Sequence, residues 1–321
     1  MLAQWQTHFV STLLQTAWPD LQIELVPFTT EGDRVLDRAL PEIGGKGVFT
    51  QEMERALVEG EIDLAVHSLK DLPVADSENL TVGAICSRGD AHDVLVSAMG
   101  CTLEQLPKGA RVGTSSVRRA AQLLASRPDL VLLPLRGNVD TRVNKVLHGD
   151  YDAIVLAAAG IQRLGLQSHI CRSLSFDVML PAPGQGAVAV QCRVDDDKVR
   201  SRLHAIHDPV TCAAVTAERA FLAALGGGCA APVAAYGEFR AGPVHKQRTD
   251  DIADREVPAA GQVLDESNLY IYLRGLVAST NGKQLIRVRG EGMKPIPCGT
   301  ELAEQALMQG AAALLEGSTH K

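Results

Sequence analysis

Short apolar runs alternate with amphipathic stretches along the first two thirds of the chain, and the two periods separate cleanly. Runs predicting buried strands are Leu21 to Val26, Ile62 to Val66, Leu80 to Ile85, Val94 to Ser97, Leu130 to Leu133, Ile154 to Ala157 and Ala187 to Gln191. Between them, a helical period covers Thr50 to Glu59, closed by Gly60, and Ser116 to Ala125, with Thr114 and Ser115 as capping candidates. Strands alternating with helices predict an α/β fold. After Pro209 the texture changes to one long alanine-rich helix, Val210 to Leu225. Strands follow near Val233 to Phe239, Leu269 to Leu276 and Gln284 to Arg289, then a closing helix after Thr300. That succession predicts a separate α+β domain. The intervening Arg240 to Asn268 is polar and lacks apolar periodicity, which predicts a long exposed loop.

Composition narrows the function. At 321 residues the chain exceeds one hydrophobic core, and 46% apolar with 21% charged residues is ordinary for a globular protein. A formal net charge of −7 disfavours nucleic acid, so any basic site must be local. The seven cysteines form no CxxC pair and an odd number does not make a disulfide framework, which points to a reducing compartment. No signal-peptide pattern opens the chain, and no apolar run approaches the ~20 residues that span a bilayer. The expectation is a cytoplasmic protein with no membrane partner.

Candidate chemistry gathers at strand ends, where open α/β sheets bind ligands. The strand ending at Val66 runs into His67, Ser68, Leu69, Lys70, Asp71, Leu72 and Pro73, which sets an acid beside a base. By itself such an Asp is as often a turn or cap residue, and His67 more often a packed one. Val112 to Arg119 reads as a strand end entering a helix N-terminus, where free N–H groups, Ser115, Ser116, Arg118 and Arg119 form a receptor for anions. Arg136 and Arg142 follow the next strand, and Arg163 the one after. Each arginine alone reads as a solvated charge; arginine at three successive junctions suits carboxylate recognition, because the guanidinium fork matches a carboxylate bidentately. Gly44, Gly45, Lys46, Gly47, Val48 and Phe49 make a glycine-rich turn without the P-loop pattern. Finally, Leu225 to Val233 presents Cys229 on a glycine loop between helix and strand, an arrangement that suits an accessible, reactive thiol, although by itself such a cysteine is more often a small buried one on a turn.

Taken in order, HSLKDLP, GTSSVRR, LRGNVDTR, PAPGQGA and LGGGCAAPV resemble the motifs of the porphobilinogen deaminase (hydroxymethylbilane synthase) family, from about Leu2 to the final helix. The resemblance implies two α/β domains like the halves of a periplasmic binding protein, plus a C-terminal α+β domain. Its boundaries would be 1–88 with 186–206, then 89–185, then 207–321, with crossovers near Ser87 to Asp93 and Leu180 to Gln185. It implies a dipyrromethane cofactor on Cys229 through a thioether, to which four porphobilinogen units are added with loss of ammonia before hydrolysis releases a linear tetrapyrrole. Asp71 would be the central carboxylate, helping the amino group leave and stabilising cationic azafulvene and pyrrolenine species. Lys70, Ser115, Ser116, Arg118, Arg119, Arg136, Arg142 and Arg163 match positions that hold pyrrole carboxylates. Lys46 and Phe49 match an active-site loop, and Gln185 a hinge segment. No metal or nucleotide is implied, porphobilinogen is the partner, and the family expectation is a monomer.

One departure stands out. The family opens with a strand and an Arg-x-Ser segment before a helix with a Leu-Ala-x-x-Gln pattern, whereas here Met1 directly precedes Leu2, Ala3, Gln4, Trp5 and Gln6. The reading favoured here is a start placed too far downstream or a truncation, with domain one lacking a strand; supplying the segment ahead of Leu2 should then raise stability and activity together. Two other readings stay open, a catalytically impaired relative and a small-anion-binding protein of the periplasmic type.

Overall fold

A computed structural model describes residues 1–28, 50–75, 77–227, 231–241 and 269–316. Lys46, Phe49, Cys229 and most of the predicted Arg240 to Asn268 loop lie outside the described residues. The chain is mixed α/β, with an α+β unit at its C-terminal end.

The first sheet has the order β1-β8-β2, from β1 (Leu64–Ser68), β2 (Leu80–Ile85) and β8 (Val188–Arg193), with β8 antiparallel to both neighbours. Helix α1 (Leu2–Ala17) covers one face. Its Gln6, Val10 and Leu14, four residues apart, fall on one stripe, and Val10 and Leu14 join Val188, Val190, Cys192 and Leu203 in the core. Helix α2 (Gln51–Val58) covers the other face near Ala65 and Leu80. The predicted strand at Leu21 to Val26 is absent: residues 21–28 lie outside any helix or strand. Leu21 and Ile23 pack on the core, but a strand exists only through a neighbour's backbone, and among the described residues β1 pairs with β8 alone.

The second sheet has the order β5-β4-β6-β3-β7, using β3 (Asp93–Val96), β4 (Arg111–Gly113), β5 (Val131–Leu133), β6 (Ala153–Ala157) and β7 (Arg172–Ser173). Strands β4, β5 and β6 run parallel, joined by α3 (Val117–Ser126) and α4 (Val139–Leu147), and α5 (Ala158–Arg163) follows β6. Parallel strands put the β4, β5 and β6 ends, and their arginines, on one edge. The cap of α3 is Ser116, accepting from Arg119 N, not the expected Thr114 or Ser115.

The chain passes between these sheets twice, after β2 and before β8, and the two passages run together. Gly89 N donates to Gly186 O at 3.1 Å, and Cys86 N to Val188 O at 2.9 Å. Gly186 has φ +88, and a Cβ there would lie 2.6 Å from Gly89 O, so only glycine fits.

The third sheet, β11-β10-β9, is antiparallel: β9 (Val233–Ala241), β10 (Leu269–Ala278) and β11 (Leu285–Gly292). After α6 (Asp197–His204), α7 (Pro209–Ala224) begins with an Asp208 side-chain cap and Pro209 in its first turn. Helix α8 (Pro295–Met308) starts five residues before the predicted Thr300, because proline is tolerated in a first helical turn, and α9 (Ala311–Glu316) ends the described chain. This unit docks on both others. Val215 of α7 packs with Leu69, Leu72 and Ala189 of the first, while Ala234, Leu276 and Ala278 pack with Ala121 and Leu180 of the second.

The paired passages predict that Gly186→Ala lowers stability by at least about 1 kcal/mol, because the left-handed backbone and the Gly89 carbonyl both oppose a side chain. A thermal or denaturant midpoint equal to the parent chain would contradict that packing.

Candidate active site

Strand β1 ends in a single 3-10 turn, Leu69–Asp71, which carries Lys70 and Asp71. Leu69 is buried and anchors the turn, donating its N–H to Ala187 O at 3.1 Å while its side chain lies against Gly184, whose φ is +76. Upstream, Gln6 Nε2 donates to Ser68 Oγ at 2.8 Å, so α1 steadies the strand just before the turn.

From the opposite sheet, α3 and α4 bring arginines toward this turn. Lys70, Arg142 and Arg119 all act electrostatically on Asp71. Loss of surrounding water raises the Asp71 carboxyl above its ordinary value, against the pull of Lys70, Arg142 and Arg119. Asp71 is nevertheless exposed on its open side, and water there weakens both influences. Lys70 is pushed down to about 8 by burial, with Arg119 and Arg118 adding to the fall and Asp71 and Asp93 opposing it. Arg142 is lowered to about 10 by burial and then by Arg119, with Arg136 contributing. Burial leads in both, and Arg119 is the cation that lowers both.

Arg118 and Arg119 are buried, and both meet Asp93, the first residue of β3. Arg118 Nη1 donates to Asp93 Oδ2 at 2.8 Å and to Leu180 O at 2.6 Å. Arg119 donates to Asp93 Oδ1 through Nε at 3.1 Å and Nη2 at 2.6 Å, and to Val155 O at 3.1 Å. Gln185 Nε2 adds bonds to Asp93 Oδ1 at 3.0 Å and Ala91 O at 2.8 Å, tying the second passage to the same carboxylate. The Asp93 carboxyl is desolvated, yet the two guanidiniums hold it well below the usual carboxylate range.

The remaining sequence candidates are placed as follows. Arg142 Nε donates to Gly137 O at 2.6 Å, where Gly137 has φ +109, so the start of α4 fixes its orientation. Arg136 is half-buried, and its carbonyl accepts from Lys145 Nζ at 3.2 Å. Ser115 Oγ exchanges hydrogen bonds with the Leu135 backbone, locking the ends of β4 and β5 together. Arg163 lies apart from the Asp71 group: it donates to Gly186 O at 2.7 Å and stacks over Trp5. His67 is buried and burial lowers its pKa to about 4, which fits the packed reading over a catalytic one.

Sequence reasoning missed Asp93 and the α7 pair Glu218 and Arg219. Asp93 carried a usable signal, because an acid opening a strand with every position buried must find cationic partners. Glu218 is fully buried and accepts from Arg88, Gly184 N and Gly237 N, with Arg88 Nη1 at 2.6 Å. Its partners are distant in sequence, so only the fold reveals it. Among the described residues no group of acids, histidines and cysteines could hold a metal ion, and no helix is long and apolar enough to cross a membrane.

Replacing Asp93 by Leu should cost about 3–5 kcal/mol, since two buried guanidiniums lose their carboxylate. A group with a depressed folded pKa adds stability that is fully present above its unfolded pKa of about 3.9 and is lost as pH falls through the folded value. Denaturation from pH 7 to pH 2 should therefore show an acid limb that is flatter in Asp93→Asn; an unchanged limb would count against this ion pair.

Comparison with known proteins gives a consistent family. Residues 1–201 match the model described as "Porphobilinogen deaminase, dipyromethane cofactor binding domain", and residues 212–245 match that family's C-terminal domain. A porphobilinogen deaminase of Roseiflexus castenholzii is 45% identical over 317 residues, covering 98% of this chain and 96% of that protein. Among solved structures, the Bordetella pertussis BvgS periplasmic VFT2 domain is similar at TM-score 0.37 and 17% identity, over 62% of this chain and 75% of that one. The probable amino-acid ABC transporter extracellular-binding protein ytmK of Bacillus subtilis is similar at TM-score 0.36 and 10% identity, over 62% and 78%. The sequence matches, and not these distant structural ones, show that the chain belongs to the porphobilinogen deaminase family, transferases of tetrapyrrole biosynthesis.

Proposed function

We propose that this chain condenses porphobilinogen units into a linear tetrapyrrole on a dipyrromethane held by Cys229, with Asp71 as the working carboxylate. The observation that carries the reading is the meeting of Asp71 with Lys70, Arg142 and Arg119 where the first and second sheets face one another. The donor set suits the cofactor: dipyrromethane carries acetate and propionate groups, and Lys70 and Arg142, both lowered by burial and by Arg119, gain from an added anion. When bound, the cofactor supplies a nucleophilic pyrrole position on which the chain grows.

Residue by residue, Lys70, Arg136 and Arg142 offer their charge to substrate carboxylates, while Arg118 and Arg119 act from behind, committed to Asp93 and lending positive potential. Ser115 and Ser116 fix the junctions that aim them. A carboxylate whose pKa is lifted by its surroundings can hold a proton for the departing ammonia and then, ionised, offset the cation left behind. Gln185 and Arg163 secure the passages between sheets through Ala91 and Gly186. The sheet memberships support three domains, 1–88 with 186–206, 89–185 and 207–321. Lys46 and Phe49 belong to this reading through the family motif, as a loop near the site.

Whole-protein mass spectrometry with peptide mapping should find two linked pyrroles on Cys229. An adduct on Cys212 or Cys192, or full activity without one, would overturn the attachment. Asp71→Asn should reduce kcat by at least ~10²-fold with the fold intact, as expected for removing a general acid or base. Near-normal turnover would remove Asp71 from the mechanism.

A further inference from the structure

Helix α7 reaches from the C-terminal unit to the back of the turn that carries Asp71. Its Arg219 donates from Nη2 to Pro73 O at 2.6 Å, and from Nη1 to Leu72 O at 3.1 Å and Leu69 O at 3.4 Å. These carbonyls bracket Lys70 and Asp71 in sequence. A single 3-10 turn closes one backbone bond, here Leu72 N to Leu69 O at 3.1 Å, and leaves the carbonyls that follow without helical partners. The planar guanidinium fork satisfies several of them in one fixed geometry, which a lysine or an amide cannot.

We infer that Arg219 is a positioning residue for the reaction, holding the Leu69–Pro73 backbone so that the Asp71 carboxylate keeps its place opposite Arg142. The inference rests on the reading of Asp71 as the working carboxylate. Two further observations point the same way. The preceding residue, Glu218, binds Arg88 and Gly184 N, so consecutive side chains of α7 grip both the catalytic turn and the paired passages. Finally, α7 ends at Ala224, so the helix that grips the turn leads in sequence toward the segment carrying Cys229.

Removing the fork frees the carbonyls on either side of Lys70 and Asp71. Displacement of a reacting group by about 1 Å can cost on the order of 10²-fold in rate. Arg219→Gln should therefore lower kcat by roughly 10-fold to 100-fold, with KM for porphobilinogen little changed, since Arg142 and Lys70 stay in place. The decisive readout is a double-mutant cycle in the cofactor-loaded full chain, with Arg219→Gln, Asp71→Asn and both together. If Arg219 acts through Asp71, its replacement should cost less than about 2-fold once the carboxylate is gone. An equal loss in both backgrounds would overturn the inference and mark Arg219 as a general stabiliser. Near-normal turnover in Asp71→Asn alone would overturn the reading of Asp71 and the inference with it, so the two failures are distinguishable. Cofactor mass and thermal midpoint are read on every variant. Should Arg219→Gln fail to fold or load, Arg219→Lys, which keeps the charge and loses the fork, decides through the same cycle: a loss confined to the Asp71 background supports the inference, and an equal loss in both overturns it.

Discussion

Asp93 is the constraint on which the site depends. A carboxylate with no exposed surface is tolerated only because two guanidiniums and an amide surround it, and each of those groups belongs to a different job. Arg118 ties α3 to the Leu180 carbonyl, Arg119 ties it to β6, and Gln185 ties the second passage to β3. One buried charge thereby fixes the helix N-terminus, the sheet edge and the connection between sheets. It neutralises one of the two arginines it holds, and the surplus positive charge is felt at Lys70 and Asp71.

The C-terminal unit is more than a carrier for a cysteine. Its apolar contacts split between the other two units, with Val215 against Leu69 and Leu72, and Leu276 against Leu180. Such divided packing sets the orientation of α7, and α7 in turn offers Glu218 to the passages and Arg219 to the Leu69–Asp71 turn. Hydrophobic contact supplies the bulk of the attraction, and the two charged side chains supply the register.

Much of this is legible in the sequence, for a reason that the site itself explains. Ends of parallel strands fall on a common edge, so Arg119 and Arg142 group together after β4 and β5, whereas Lys70 and Asp71 follow a strand of the other sheet and join them only through the succession of five motifs that assigns the family. Strands β2 and β6 match their apolar runs within a residue because each buries apolar side chains such as Leu80, Ile85, Ile154 and Val155. Leu21 to Val26 has the same apolar texture and forms no strand, since pairing depends on a neighbour that texture does not reveal. Prolines 295 and 297 hide the start of α8 by resembling breakers. Arg118 reads as a surface anion binder and is in fact buried against Asp93, because a local motif cannot show a partner 25 residues away. Glu218 and Arg219 are illegible for the same reason at greater range.

The central claim is that Asp71, set in a field of surplus cations between two sheets, faces the growing pyrrole chain. A crystal structure of the cofactor-loaded chain soaked with porphobilinogen tests it most directly. The account predicts density continuous with the Cys229 sulfur, an Asp71 carboxylate oxygen within hydrogen-bonding distance of the pyrrole nitrogens, and Arg142 on a ring carboxylate. Density joined to Cys229 with Asp71 turned away from the pyrroles, or with Arg142 remote from every ring carboxylate, would contradict it.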